Sequence, residues 1–193
     1  MALVPLATVA DLAARGVDTT DTARVEALLD AASSAIREAA GSTISAVTAD
    51  VTIPGTSQPW LWLPGYAPRD VVDVFVDDDP VSDWRAVSGR LWRACGWQAD
   101  CGPSNVSLTY TQGLDEVPAD IVDLCCSLVA AGMAAAEEGY DPRRSMAYER
   151  IDDYQYGLRQ GDAEVLSPID LPPRVRASLA SRFGAGVAVT GSY

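Results

Sequence analysis

Histidine and lysine are both missing. The 193-residue chain has no His, and each of its 14 basic side chains is Arg. This double absence excludes Ser-His-Asp and Cys-His catalysis, Schiff-base lysines, His-ligated metals and a P-loop lysine. The 4 cysteines do not restore a metal site, because none has the paired spacing of zinc ligands. Basic charge is scarce too: 27 Asp and Glu leave a net charge of −13. So acidic a chain is unsuited to wrapping nucleic acid, which requires a basic surface. The charge would suit a surface past which DNA slides without sticking, although solubility is the plainer account. The segment Met1–Ala7 lacks the basic start and apolar core of a signal peptide, so synthesis and folding in a cytoplasm are expected.

What is present is apolar and patterned. A hydrophobic share of 48% and 5 Trp argue against disorder, and the length fits one domain with room for a sub-domain. Thr8 to Arg15 has the spacing of a short helix ended by Gly16. Val25, Leu28, Leu29, Ala32, Ile36 and Ala39 mark a longer amphipathic helix, with Gly41 just past its end. From Val47 the period drops to two. Short strands are expected at Val47–Ile53, Trp60–Leu63, Val71–Val76, Trp84–Val87, Arg90–Arg93 and Val106–Thr111, the fourth and fifth joined by a Ser88-Gly89 hairpin turn.

The stretch after the last strand organises the expectation. Pro118 suits the first position of a helix running to about Glu138, and Asp115, Glu116 and Asp120 sit at its positive end. Ile121, Leu124, Cys125, Leu128, Ala131, Gly132 and Ala135 form one apolar stripe, widened by Val122, Val129, Met133 and Ala136. Asp120, Asp123 and Ser127 leave only a narrow polar strip. A helix this apolar must be covered on nearly all sides, by its own chain or by a neighbouring copy. A membrane span is the poorer account, since Asp123 leaves less than the ~20 uncharged residues a bilayer requires. After it come an extended arm with Tyr154 and Tyr156, a Pro-rich connector, a last helix from Arg174 to Phe183 and a small-residue tail. These patterns predict an α+β fold: a helical bundle around one long apolar helix, with an inserted small β-rich sub-domain and an extended C-terminal tail. The expected divisions are 1–45, 46–111, 112–160 and 161–193.

Other motifs weigh less. Asp77-Asp78-Asp79 reads as a solvated turn rather than a cation site, because no glycine-spaced calcium loop surrounds it. Cys95 and Cys101 could bond in an oxidising setting, with free thiols the favoured state, and Cys125-Cys126 are expected as small buried hydrophobes. The tryptophans at 60, 62, 84, 92 and 97 all fall among the strands, where packing is their commoner use. A carbohydrate-binding module is the rival they raise. A carboxylate hydrolase is least favoured, because no pair of acids can be assigned across a cleft.

The order of segments resembles a family. Leu61-Trp-Leu-Pro64, Val71-Val-Asp-Val-Phe-Val76 and Ser107-Leu-Thr-Tyr-Thr-Gln-Gly-Leu-Asp-Glu-Val-Pro-Ala-Asp-Ile121, behind two helices, look like the head-to-tail connector (adaptor) proteins of long-tailed bacteriophages. Glu149-Arg-Ile-Asp-Asp-Tyr-Gln-Tyr156 is similar to a segment that follows the long helix there, with Asp152 where Gly is usual. The Arg-only, Ala-rich composition looks like a phage of a high-GC actinobacterial host. The resemblance implies a structural, non-enzymatic virion protein with no cofactor or metal. It would form a ring, typically dodecameric, between the portal and the next neck or tail protein, passing DNA through its bore without sequence-specific binding and without a membrane. It would be assembled in the host cytoplasm and reside at the head–tail junction. Subunit contacts would fall on Ile121, Leu124, Leu128, Val129, Met133, Tyr154 and Tyr156. Portal docking would fall on Arg174, Arg176, Arg182, Phe183, Val187, Val189 and Tyr193. Another neck component, a stopper or tail terminator, is the near alternative.

Overall fold

The structure is a computed structural model that describes residues 3–99, 102–137 and 169–184. Its elements are α1 (Val9–Ala14), α2 (Thr22–Ala40), β1 (Val47–Gly55), β2 (Trp60–Trp62), β3 (Arg69–Val76), β4 (Asp79–Pro80), β5 (Trp84–Val87), β6 (Arg90–Arg93), β7 (Ser104–Gln112), α3 (Ala119–Glu137) and α4 (Pro173–Phe183). The strands pair as two antiparallel sheets, ordered β1-β7-β3-β4 and β2-β6-β5.

This corrects the expected fold class. The protein is sheet-rich, with seven strands in two sheets and four helices among the described residues. It is not a helical bundle around a long helix. The physical reason is where the apolar side chains gather. Leu61 and Leu91 of the smaller sheet share one buried cluster with Val74, Val76, Val106, Leu108 and Tyr110 of the larger, and with Trp97. The strands therefore own a core of their own and are not an accessory to the helices.

Two compact units divide the chain, each built from separated segments: Met1–Ile36 with Pro118–Arg176, and Arg37–Val117 with Ala177–Tyr193. In the first, Thr8 caps α1 reciprocally: Asp11 N–H donates to its hydroxyl, and its own N–H donates to the Asp11 carboxylate at 2.8 Å. Val25, Leu29, Ala32 and Ile36 of α2 are buried, as the sequence spacing required. The buried hydroxyl of Ser33 accepts from Leu6 N–H at 2.9 Å, so the approach to α1 is fixed by a satisfied polar contact.

In the second unit, β1 and β7 match residue for residue from Val47↔Gln112 to Gly55↔Ser104. Alternation buries Val106, Leu108 and Tyr110, and turns Ser107, Thr109 and Thr111 outward. There Thr109 donates to Asp50 at 2.6 Å, while Thr52 and Ser107 lie 3.3 Å apart, so this outer face is a polar ladder. In β3 the register against β7 shifts twice, and Asp70 and Asp73 take left-handed φ of 49° and 50° at those shifts. Asp tolerates that region, which explains why Arg69–Val76 does not alternate. Both edges of the larger sheet carry proline, Pro54 in β1 and Pro80 in β4.

At the end of β7 the chain makes a close approach. Gly113 has φ 88°, its N–H donates to Tyr66 C=O at 2.7 Å, and a Cβ there would lie 2.2 Å from Ser45 C=O. Only glycine meets both demands. Gly113→Ala is expected to cost about 2 kcal/mol or more, read as a lowered urea midpoint; an unchanged midpoint would refute the account.

Tyr110 supplies a second check. Its buried hydroxyl donates to Pro64 C=O at 2.6 Å, and burial raises its pKa above the ordinary 10.0. A raised phenol stabilises the fold fully below its unfolded value, and that contribution is lost as pH rises through the folded one. With no Lys in the chain, phenols and thiols are the side chains that titrate near there. Removing this phenol in Tyr110→Phe is therefore expected to flatten the fall in stability above pH 10, measured by urea unfolding across alkaline pH.

Candidate interaction surfaces

Four surfaces follow from the sequence reasoning: the long helix, the C-terminal helix, the acidic turn and the tryptophan-bearing strands. On α3, Ile121, Cys125, Cys126, Leu128 and Val129 are buried, while Leu124 and Met133 are half-buried. Asp120, Asp123, Ser127, Ala131 and Ala134 are exposed, so its wet side carries short side chains. No exposed large apolar side chain lies on its described part. Among the described residues of α3, Ile121, Leu128 and Val129 are covered, Val122, Leu124 and Met133 are half-covered, and the most exposed apolar positions are alanines. Of the expected subunit contacts, Leu124 and Met133 retain surface, and Tyr154 and Tyr156 lie outside the described residues. By length and composition α3 is apolar enough to cross a membrane, and a third of that stretch is buried. Asp123, in the second turn on the exposed side, is held by an ion pair with Arg15 just past α1. That pairing suits a helix of a folded unit.

At α4, Arg176 donates to Leu171 C=O and pairs with Asp170, each at 2.9 Å. It fastens the start of the helix. Further along, Leu179 and Phe183 are buried, and the Phe183 ring meets Tyr66 edge-on with centroids 5.1 Å apart. The Arg182 guanidinium lies 4.8 Å from the Phe183 ring centre. Phe183 is thus a core residue of its unit, whereas Arg174 is exposed. Val187, Val189 and Tyr193 lie outside the described residues.

The acidic turn joins β3 to β4 with φ of 49° at Asp77 and 70° at Asp78, the mirror-type turn that matches strand twist. Asn105 N–H donates to the Asp77 carboxylate at 2.7 Å and, as the main cause, lowers its pKa. Asp78 and Asp79 are exposed and make no ion pair among the described residues. No group of three or more metal-ligating side chains occurs among those residues.

The tryptophans separate by role. Trp97 is wholly buried, its indole N–H donating to Pro59 C=O at 3.0 Å, and Trp84 packs partly buried against the same core. Trp60 and Trp62 flank buried Leu61 in β2 and remain 43% and 57% exposed. Register places Trp60 opposite Trp92 and Trp92 opposite Arg85; Trp62 faces Arg90, and Arg90 faces Val87. Opposed residues share a side, so these six form the outer face of the smaller sheet. The Arg90 guanidinium stacks 3.4 Å from the Trp62 ring centre. Neither Arg85 nor Arg90 has an ion-pair partner among the described residues. Sequence reasoning found the tryptophans but not the arginines between them. The two-residue Ser88-Gly89 turn was the available signal, because it fixes the β5–β6 register and with it the face.

No protein-family model matches the chain, and a search of curated proteins finds no match.

Thiol accessibility gives a check on α3. Cys95 is an exposed free thiol, Cys125 and Cys126 are buried, and burial raises the Cys126 pKa; Cys101 lies outside the described residues. Iodoacetamide is expected to modify Cys95 in the native protein but to reach Cys125 and Cys126 only in denaturant, read by peptide mass. Rapid native labelling of the α3 pair would overturn the burial assigned to them.

Proposed function

We propose that this chain is a structural subunit of a phage neck: a head-to-tail adaptor that forms a ring between the portal and the next neck protein and lets DNA pass. The observation that carries the reading is the order of segments ending in Ser107–Ile121. There a strand, a Gly113 turn and Pro118 lead into an apolar helix behind two earlier helices. The −13 charge supports it, because a bore lined by such a chain would hold DNA weakly. The role is architectural. Arg, Asp and Trp side chains on rigid sheet and helix surfaces would position neighbours, with no bond made or broken.

A sugar-binding module gains little from the exposed rings. Arg90 already covers one face of Trp62, and the six-residue sheet face holds no Asp, Glu, Asn or Gln to grip hydroxyls.

The test is assembly on a portal. Purified chain mixed with portal-bearing capsids is expected to add as a ring seen by electron microscopy. A chain ending after Gly184 keeps the Phe183–Tyr66 contact and is expected to fold, yet to lose portal joining with Val187, Val189 and Tyr193. No addition by the full chain would overturn the reading. Head completion by the shortened chain would overturn the docking role of those residues.

A further inference from the structure

Of the five large apolar side chains left exposed among the described residues, three lie on the outer face of the smaller sheet: Trp60, Trp62 and Val87. Arg85 and Arg90 stand between them with no carboxylate partner among the described residues. Trp and Arg are the side chains that anchor protein interfaces most strongly, and a guanidinium stacked on a ring keeps its N–H edge free for a carboxylate. We infer that this face docks a second copy of the chain, taking the exposed Asp77–Asp79 hairpin tip of that copy against Arg85 and Arg90.

Charge decides among occupants. A polyphosphate strand would find two arginines on a molecule of net charge −13, a poor exchange for its counterions. Two such faces meeting directly would set arginines against arginines, so the face meets a different surface of the second copy. The complementary surface is in the same unit: Asp77, Asp78 and Asp79 are consecutive, exposed, and presented by a tight turn whose first carboxylate is fixed by Asn105. Prolines at both edges of the larger sheet discourage strand addition and favour docking through a face. Made reciprocally, this tip-on-face contact closes as a two-fold dimer; repeated head-to-tail, it closes into a ring or continues as a filament. The contact stands on the sheet face; its closure into a ring rests on the connector reading.

The test is sedimentation velocity of the full chain over a range of concentration and salt, with circular dichroism to verify folding. The wild type is expected to self-associate, more weakly at high salt. The double variants Arg85→Glu/Arg90→Glu and Asp78→Arg/Asp79→Arg should each weaken association by about tenfold or more. An equimolar mixture of the two should recover it, because each supplies the face the other needs. Trp62→Ala should weaken it without changing its salt dependence. Self-association equal to wild type in both charge variants would overturn the contact and leave the connector reading standing. So would a wild type that stays monomeric and gains from the face only oligothymidine or oligosaccharide binding. Should the chain assemble only on a portal, the same variants are counted there, and undiminished rings would overturn the contact. Self-association that obeys the charge swap in a chain that never joins a portal would keep the contact and overturn the connector.

Discussion

Between Val47 and Gly55 on one side and Gln112 and Ser104 on the other, β1 and β7 run antiparallel through nine matched pairs without a bulge. The sheet unit is registered from that seam. Because side chains alternate, a slip of one residue would turn Val106, Leu108 and Tyr110 to water and bring Ser107, Thr109 and Thr111 into the core. At one end Gly113 presses against Ser45. At the other, Asn105 receives the acidic hairpin by donating to Asp77. The irregularities are all in β3, where Asp70 and Asp73 absorb the mismatch, so the bulged strand adapts to the straight pair.

Local pattern carried a long way in the sequence. Helices at Val9–Ala14, Thr22–Ala40, Ala119–Glu137 and Pro173–Phe183, and the β5–β6 hairpin, fall within a residue or two of their spacing and turn signals. What the pattern did not give was the partner of each surface. Counting apolar positions around α3 treated Ala131 and Ala136 as equal to Leu128, although an exposed alanine hides little area and asks for no cover. That weighting made the helix look central and the strands accessory. The strand core became visible only through pairing between strands far apart in the sequence, which no local period records. The same gap hid the arginines of the outer sheet face, whose neighbours come from another strand.

The two outer faces of the sheet unit show how differently one pleat can be finished. The β1–β7 side is a Thr, Ser and Asp ladder whose hydroxyls satisfy one another. The β2-β6-β5 side is ring and guanidinium, and its arginines have no ion-pair partner among the described residues. Water suffices for the first. The second carries the side-chain types that gain most from a partner.

The division into units has a consequence for biosynthesis. Each is assembled from separated stretches: the sheet unit takes in Phe183, whose ring meets Tyr66, and the helical unit includes α3. While the ribosome is still working on the early helices and β1, neither body holds the residues it needs to close. Nascent β1 must wait for β7 with its apolar side uncovered, so the chain reaches its final form late, once α4 has emerged from the exit tunnel.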